Sequence, residues 1–294
     1  SSFINYMPEL PEVEVVKRSL EKNILKLTIK KVLINTNKLR YRIKPSQFYK
    51  INKKKILSIT RRSKYLLINL EDDLTIIAHL GMTGKFLIQN KAKQIKKTSF
   101  YYSADNKDKK HDHIIFILSK NFKLIYNDIR KFGFLKIIKS SNLNDISHLK
   151  VLGPEPFSNS FNNHYFKKFR LNKRKKIKDL LMDQKFVSGL GNIYVNEILF
   201  KSGVNPNKNI QKLKDFEITK IILNTKKILK RAIKMGGSSI INFKSSDGKQ
   251  GGYQQRFSVY ARNGKKCHNI SCKNLIIKTV ISGRSTFYCK KCQK

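Results

Sequence analysis

Met7-Pro8-Glu9-Leu10-Pro11-Glu12-Val13-Glu14 stands close to the start of this 294-residue chain. A proline directly after methionine is a place where initiator removal leaves a secondary amine as residue one. An α-amino group titrates near about 8, well below a lysine side chain, so part of it is neutral at pH 7. A neutral secondary amine attacks carbonyl carbon and yields an iminium, an electron sink that loosens neighbouring C–H and C–O bonds. Glu9 is placed to protonate a leaving group or a ring oxygen. The plainer reading is a proline-stiffened leader into a helix with Glu12 and Glu14 in its first turns. Val13, Val16, Leu20 and Ile24 follow at helical spacing, which predicts an amphipathic helix over 12–25.

Lys and Arg number 63 against 19 Asp and Glu, a formal charge of +44. A chain this basic seeks a polyanion, with nucleic acid the default partner. Only 12 of the 63 are Arg, so part of the excess reflects a lysine-rich composition. No apolar run approaches the roughly 20 residues of a membrane span. The four cysteines all follow position 266, unlike a disulfide framework spread through a secreted fold. These features predict an intracellular nucleic-acid-binding protein with no membrane partner.

Short β-branched runs at 27–35, 56–60, 65–69, 74–79, 86–89, 113–118, 123–126 and 134–138 predict a mainly antiparallel β first half. The lysine-rich stretch 90–110 reads as a surface loop. From about Ser147 the pattern turns helical, with helices expected over 163–169, 176–182, 193–201 and 215–234. Gly189-Leu190-Gly191-Asn192-Ile193-Tyr194 falls in a turn between two of them, where glycines and a helix amino terminus favour phosphate. Arg61-Arg62-Ser63-Lys64-Tyr65 and Lys173-Arg174-Lys175-Lys176 are basic clusters whose plain reading is a solvated face. Cys267 and Cys272 have four residues between them, Cys289 and Cys292 two, and sixteen separate the pairs. Two thiolate pairs so spaced predict one tetrahedral structural Zn2+ with no open coordination position.

With these motifs assembled, the chain resembles bacterial formamidopyrimidine-DNA glycosylase. The resemblance runs from Pro8 to Lys294 through eight landmarks in order: Pro8–Glu14, Arg62–Leu67, His79-Leu-Gly-Met-Thr-Gly84, Lys110-His-Asp-His113, Asp128-Ile-Arg-Lys-Phe-Gly133, Leu152–Pro156, Gly191–Tyr194 and Gly283–Cys289. It implies an α+β multidomain fold. An amino-terminal antiparallel β-sandwich with flanking helices (8–146) precedes a helix–two-turn–helix domain (147–256) and a β-hairpin zinc finger (257–294). It implies a bifunctional glycosylase and abasic-site lyase of base excision repair, acting on oxidised purines in damaged double-stranded DNA held between the halves. A monomer in the bacterial cytoplasm, associated with the nucleoid, is expected.

Residue by residue, the resemblance makes Pro8 the nucleophile at C1′ and Glu9 its acid/base partner. Lys64 matches the lysine assigned to β-elimination, and Arg284 the phosphate-gripping arginine that assists δ-elimination. His111, Arg130, Arg174 and Asn192 fall on DNA-contact positions. Met82, Arg130 and Phe132 match the trio that fills the gap left by an everted base. Residues 245–253 fall on a loop that covers that base. Ile129 and Lys131 depart from the family's Asp-Pro-Arg-Arg-Phe-Gly, and Ile129 is expected to loosen that turn. Because an acylated Pro8 nitrogen is an amide without a basic lone pair, the active protein is expected to begin at Pro8, with translation starting at Met7. The alternatives are an endonuclease VIII-like enzyme for oxidised pyrimidines and a catalytically inactive DNA-binding relative.

Overall fold

The computed structural model describes residues 7–98, 109–171, 174–238 and 252–294. They fall into two compact units, one of Ser1–Lys150 with Ile233–Gly252 and one of Val151–Ala232 with Tyr253–Lys294.

The first unit opens with helix α1 (Leu10–Ile24). It begins two residues earlier than the apolar spacing suggested, because Pro11 is tolerated in a first turn where its missing N–H has no partner to lose. There follow β1 (Ile29–Ile34), α2 (Pro45–Tyr49), β2 (Ile56–Arg62), β3 (Tyr65–Leu70), β4 (Leu74–His79) and β5 (Gly84–Gln89). The series continues through β6 (Ile95–Lys97), β7 (Asp112–Leu118), β8 (Lys123–Asp128), β9 (Phe134–Lys139) and α3 (Ser147–Lys150). Two antiparallel sheets result, ordered β1-β7-β8-β5-β6 and β2-β3-β4-β9. Their facing residues share one core, with Ile59, Leu66, Ile68, Ile76 and Ala78 from one sheet and Val32, Phe86, Ile114, Phe116 and Tyr126 from the other. Val13, Val16, Leu20 and Ile24 of α1 join that core, each fully buried and each worth about 1.5–3 kcal/mol of apolar transfer.

Each expected strand forms, its ends moved by at most two residues. The lysine-rich stretch after Asn90 needs correction. Ile95–Lys97 is a strand, not loop, and pairs with β5 in the register Leu87↔Lys97 and Gln89↔Ile95. Three residues with one apolar side chain carry no periodic signal, so the edge of a neighbouring strand decides their conformation.

The second unit contains α4 (Asn163–Leu171), α5 (Ile177–Met182), α6 (Asn192–Ser202) and most of α7 (Asp215–Lys234). Phe161, Phe166 and Phe186 are fully buried and meet edge to face or tilted, with centroids 5.0–6.5 Å apart. Nine of the ten residues of α6 from Ile193 to Ser202 are buried, all but Lys201, so this short helix is the unit's central post. Strands β10 (Ile277–Ile281) and β11 (Arg284–Tyr288) form an antiparallel hairpin in the same unit.

Candidate active site

Pro8 is buried, and Glu9, the N-cap of α1, is 3% exposed. Glu9 and Glu12 close a reciprocal capping box, with the Glu9 backbone N–H donating to Glu12 Oε2 at 2.9 Å. The other Glu12 oxygen accepts from the Ser238 backbone N–H at 2.7 Å and from its hydroxyl at 2.9 Å. Gly237, at φ +78, passes so close that a Cβ there would lie 3.0 Å from Glu12 Oε1. Glu12 is thus a buried carboxylate that fixes the backbone beside Pro8 from one oxygen and the 237–238 segment from the other.

Two turns, Leu80–Gly84 and Ile129–Gly133, present Met82, Arg130 and Phe132. They pack backbone to backbone. A Cβ on Gly81 would lie 2.6 Å from Gly133 N, and one on Gly133 would lie 2.0 Å from the Tyr126 hydroxyl. Asp128, fully buried, ties both turns by accepting from the Thr83 hydroxyl and, at 2.9 Å, from Gly133 N–H. The Arg130 N–H donates to Thr83 Oγ1 at 3.0 Å. Ile129 and Lys131, the latter at φ +56, therefore sit in a turn held at both ends rather than a loose one. The Arg130 guanidinium carbon lies 4.5 Å from the Phe132 ring centroid, and its Nη1 is 3.3 Å from Met82 Sδ. The Arg130 cation is thus stacked on the exposed Phe132 ring and in contact with the Met82 thioether.

Beside it lies a pocket of about 280 Å³ lined by Met7, Arg40, His79, Gly81, Met82 and Phe132. His79 Nδ1 accepts the Gly81 N–H at 3.0 Å, so its proton resides on Nε2. Burial, reinforced by the charges of Lys64 and Arg40, lowers its pKa to about 4 and keeps the ring neutral at pH 7. Lys64, 9% exposed, occupies the two-residue β2–β3 turn.

In the second unit, Gly191 caps α6 and Asn192 is its first residue. The Asn192 amide donates to the Ser285 carbonyl at 2.9 Å, and Asn196 Oδ1 accepts the Phe287 N–H at 2.8 Å. Ser282 (φ 48) and Gly283 (φ 74) form the tight hairpin turn, which leaves Arg284 exposed at its tip. The four cysteines are unpaired by disulfides, and their sulfurs lie within 4.8 Å of one another, with Cys267–Cys292 at 3.8 Å and Cys272–Cys289 at 3.6 Å. A tetrahedral Zn–S bond of about 2.3 Å requires neighbouring sulfurs about 3.8 Å apart. The cluster fits one zinc, held by Cys267, Cys272, Cys289 and Cys292, and its role is to shape the hairpin.

Residues 7–135 match the family model of the formamidopyrimidine-DNA glycosylase N-terminal domain, and 152–244 that of its H2TH domain. Residues 264–294 match the zinc finger found in FPG and IleRS. The chain belongs to the formamidopyrimidine-DNA glycosylase family. It is 42% identical to the formamidopyrimidine-DNA glycosylase of Rickettsia bellii (strain OSU 85-389) over 98% of its own length and all of that protein. It is 40% identical to that of Rickettsia massiliae, covering 98% of this chain and 97% of the other. Among solved structures it resembles a Lactococcus lactis FPG mutant bound to Fapy-dG-containing DNA, with TM-score 0.84, 34% identity, and 98% of this chain and 100% of that one covered. The wild-type Lactococcus lactis FPG with oxidised-pyrimidine DNA superposes at TM-score 0.83 and 34% identity, covering 98% and 100%.

Against the family's expected site, Pro8, Glu9, Lys64, Met82, Arg130 and Phe132 share the first unit, while Arg174, Asn192, Arg284 and the cysteines share the second. Arg174 is exposed, and His111 is half-buried beside His113 with ring centroids 6.2 Å apart. His113, not singled out from sequence, is buried with Nε2 2.8 Å from the Asp128 carbonyl. Arg40 and the supporting carboxylates Glu12 and Asp128 were also passed over. His79 and Asp128 begin two of the quoted motifs, so their position was legible although their role was not. Residues 245–251 of the expected covering loop lie outside the described residues.

Proposed function

We propose that this protein excises oxidised purines (8-oxoguanine and formamidopyrimidines) from double-stranded DNA and then cleaves the strand at the resulting abasic site. The observation that carries the reading is the plug of Met82, Arg130 and Phe132 over a pocket that begins at Met7, next to Pro8. Everting a base costs a few kcal/mol and leaves a hole opposite an orphaned partner. Two apolar wedges and a guanidinium, preassembled on glycine-packed turns, offset that cost.

Pro8, with its nitrogen free, attacks C1′ of the everted nucleotide, and the glycosidic bond breaks as the base leaves carrying the proton that the attacking amine gives up. The nitrogen lone pair then opens the sugar, with Glu9 donating a proton to the ring oxygen, and an iminium remains on C1′. That cation acidifies the C2′ proton. Lys64 serves its removal, and the 3′ phosphate departs by β-elimination. Arg284 binds phosphate and assists the second, δ-elimination. His111, Arg174 and Asn192 contact the duplex, and lysines along the phosphate path make binding steeply salt-dependent. We assign residues 8–146, 147–256 and 257–294 to catalytic, duplex-binding and zinc-finger segments of a cytoplasmic, nucleoid-associated monomer.

The test is borohydride trapping with duplexes carrying 8-oxoguanine or thymine glycol, the adduct being mapped by mass spectrometry. An adduct at Pro8 on the first duplex is expected. Trapping on thymine glycol alone would move the assignment to oxidised pyrimidines, and an adduct at another residue would remove Pro8 as nucleophile.

A further inference from the structure

We propose that Glu14 and Arg61 form a positioning device for Lys64; the proposal rests on Lys64 serving strand cleavage, as assigned above. Arg61 Nε donates to Glu14 Oε2 at 2.8 Å, while its Nη1 donates to the Ser63 carbonyl at 2.7 Å. The second Glu14 oxygen accepts from Arg18 Nε at 3.0 Å. The side chains of Arg61 and Glu14 are only 10% and 14% exposed, so this is no solvated basic face.

Geometry gives the pair its purpose. The register Arg62↔Tyr65 leaves only Ser63 and Lys64 in the β2–β3 turn. Ser63 is buried and sits at φ +55, a left-handed conformation that a residue with a Cβ adopts only when its surroundings impose it. The Ser63 carbonyl and the Lys64 nitrogen belong to one planar peptide. Holding that carbonyl sets the orientation of the plane, and with it the direction in which Lys64 leaves the backbone. The planar guanidinium spans helix and turn with two separate edges, which the point charge of a lysine cannot do. Glu14 lies on the helix that Glu9 caps. Helix α1 therefore carries the nucleophile's partner at its start and braces the elimination lysine one turn later, fixing the two steps in one rigid frame.

The test compares Glu14→Gln, Arg61→Lys and Lys64→Ala, all with Pro8 as residue one. Two single-turnover rates are read on a duplex with a preformed abasic site: borohydride-trappable adduct formation and strand scission. A mispositioned group costs up to about a hundredfold in rate. Glu14→Gln and Arg61→Lys should each slow scission about ten- to a hundredfold while adduct formation stays within about twofold. Neither should slow scission further in the Lys64→Ala background, since groups acting through one another are non-additive. Full additivity in that background, equal loss of both rates, or unchanged scission overturns the proposal. So does a salt slope of duplex binding reduced by about one in Arg61→Lys, which would make Arg61 a phosphate ligand. If Lys64→Ala itself leaves scission unchanged, the role assigned to Lys64 fails and the brace loses its object; if only the brace variants are silent, the role of Lys64 stands.

Discussion

Lys178 Nζ donates to the Thr286 hydroxyl at 2.6 Å and to the Ser285 carbonyl at 3.1 Å, so an ammonium 1% exposed on α5 holds the strand that Arg284 begins. Burial, and then the nearby Arg284 charge, lowers the Lys178 pKa to about 8, with Asp179 opposing. The folded pKa lies below the unfolded one, so the unfolded chain binds more protons between about 8 and 10.5 and stability rises with pH there. The increment is at most about 3 kcal/mol. Lys178→Met removes it while Asn192 still serves the Ser285 carbonyl. Denaturant midpoints of wild type should therefore gain on those of Lys178→Met between pH 8 and 10.5. A constant difference across that range would show that Lys178 titrates normally.

His79 makes the opposite end of the pH scale informative. Its pKa near 4 is depressed from 6.5, so its contribution to stability is complete above 6.5 and is lost as pH falls through 4. At pH 5.5 the ring should still be neutral, with its proton on Nε2 and Nδ1 accepting from Gly81. Nitrogen chemical shifts of labelled histidine read this directly. A titration midpoint near 6.5 would contradict the buried, Lys64-facing environment.

Removing zinc tests the hairpin. The turn bearing Arg284 is short, and four cysteine sulfurs converge beneath its hairpin, so metal binding and folding are coupled there. Chelation, or Cys289→Ser, should abolish duplex binding while the first unit keeps its cooperative unfolding. Unchanged affinity in a verified metal-free sample would refute the structural role.

Much of this was legible in the chain. Helix α7 runs over the residues its spacing predicts, and the cysteine spacing anticipated a four-sulfur cluster. What stayed hidden is the work of charged residues. Lys178 belongs to no motif in the chain, yet it is buried, because its partners Ser285 and Thr286, 107 and 108 positions away, satisfy its ammonium. Glu12 looked like first-turn decoration, yet it meets Ser238 across 226 positions. Local periodicity reports which face of an element is apolar. It carries no record of which polar group is paid for by a distant partner, and that pairing is what places Pro8, Lys64 and Arg284.

Gly133→Ala should be costly although the backbone there needs no left-handed φ. The new Cβ would fall 2.0 Å from the Tyr126 hydroxyl and 2.6 Å from the His79 carbonyl, both fixed by the sheet. Overpacking of this kind costs about 1–3 kcal/mol. Spreading the two turns should also separate Arg130 from Met82, so excision of a paired lesion falls along with the melting midpoint. A variant with wild-type stability would show that the turns can part without strain.

Arg130→Ala isolates the plug from general phosphate binding. In the intact protein the guanidinium stacks 4.5 Å from the Phe132 ring centroid and touches Met82, so its loss leaves those two side chains without the cation proposed above to face an orphaned base. Eversion of a paired 8-oxoguanine must break stacking and pairing, at a few kcal/mol. A preformed abasic site has no base to evert and has already lost one side of the pair. Arg130→Ala should therefore reduce excision of the paired lesion about ten- to a hundredfold and reduce cleavage of the abasic duplex much less, each tenfold being 1.4 kcal/mol of lost transition-state stabilisation. The two substrates are compared at one ionic strength in single-turnover kinetics. Equal losses on both would mean that Arg130 acts on the phosphate backbone and that Met82 and Phe132 alone fill the gap.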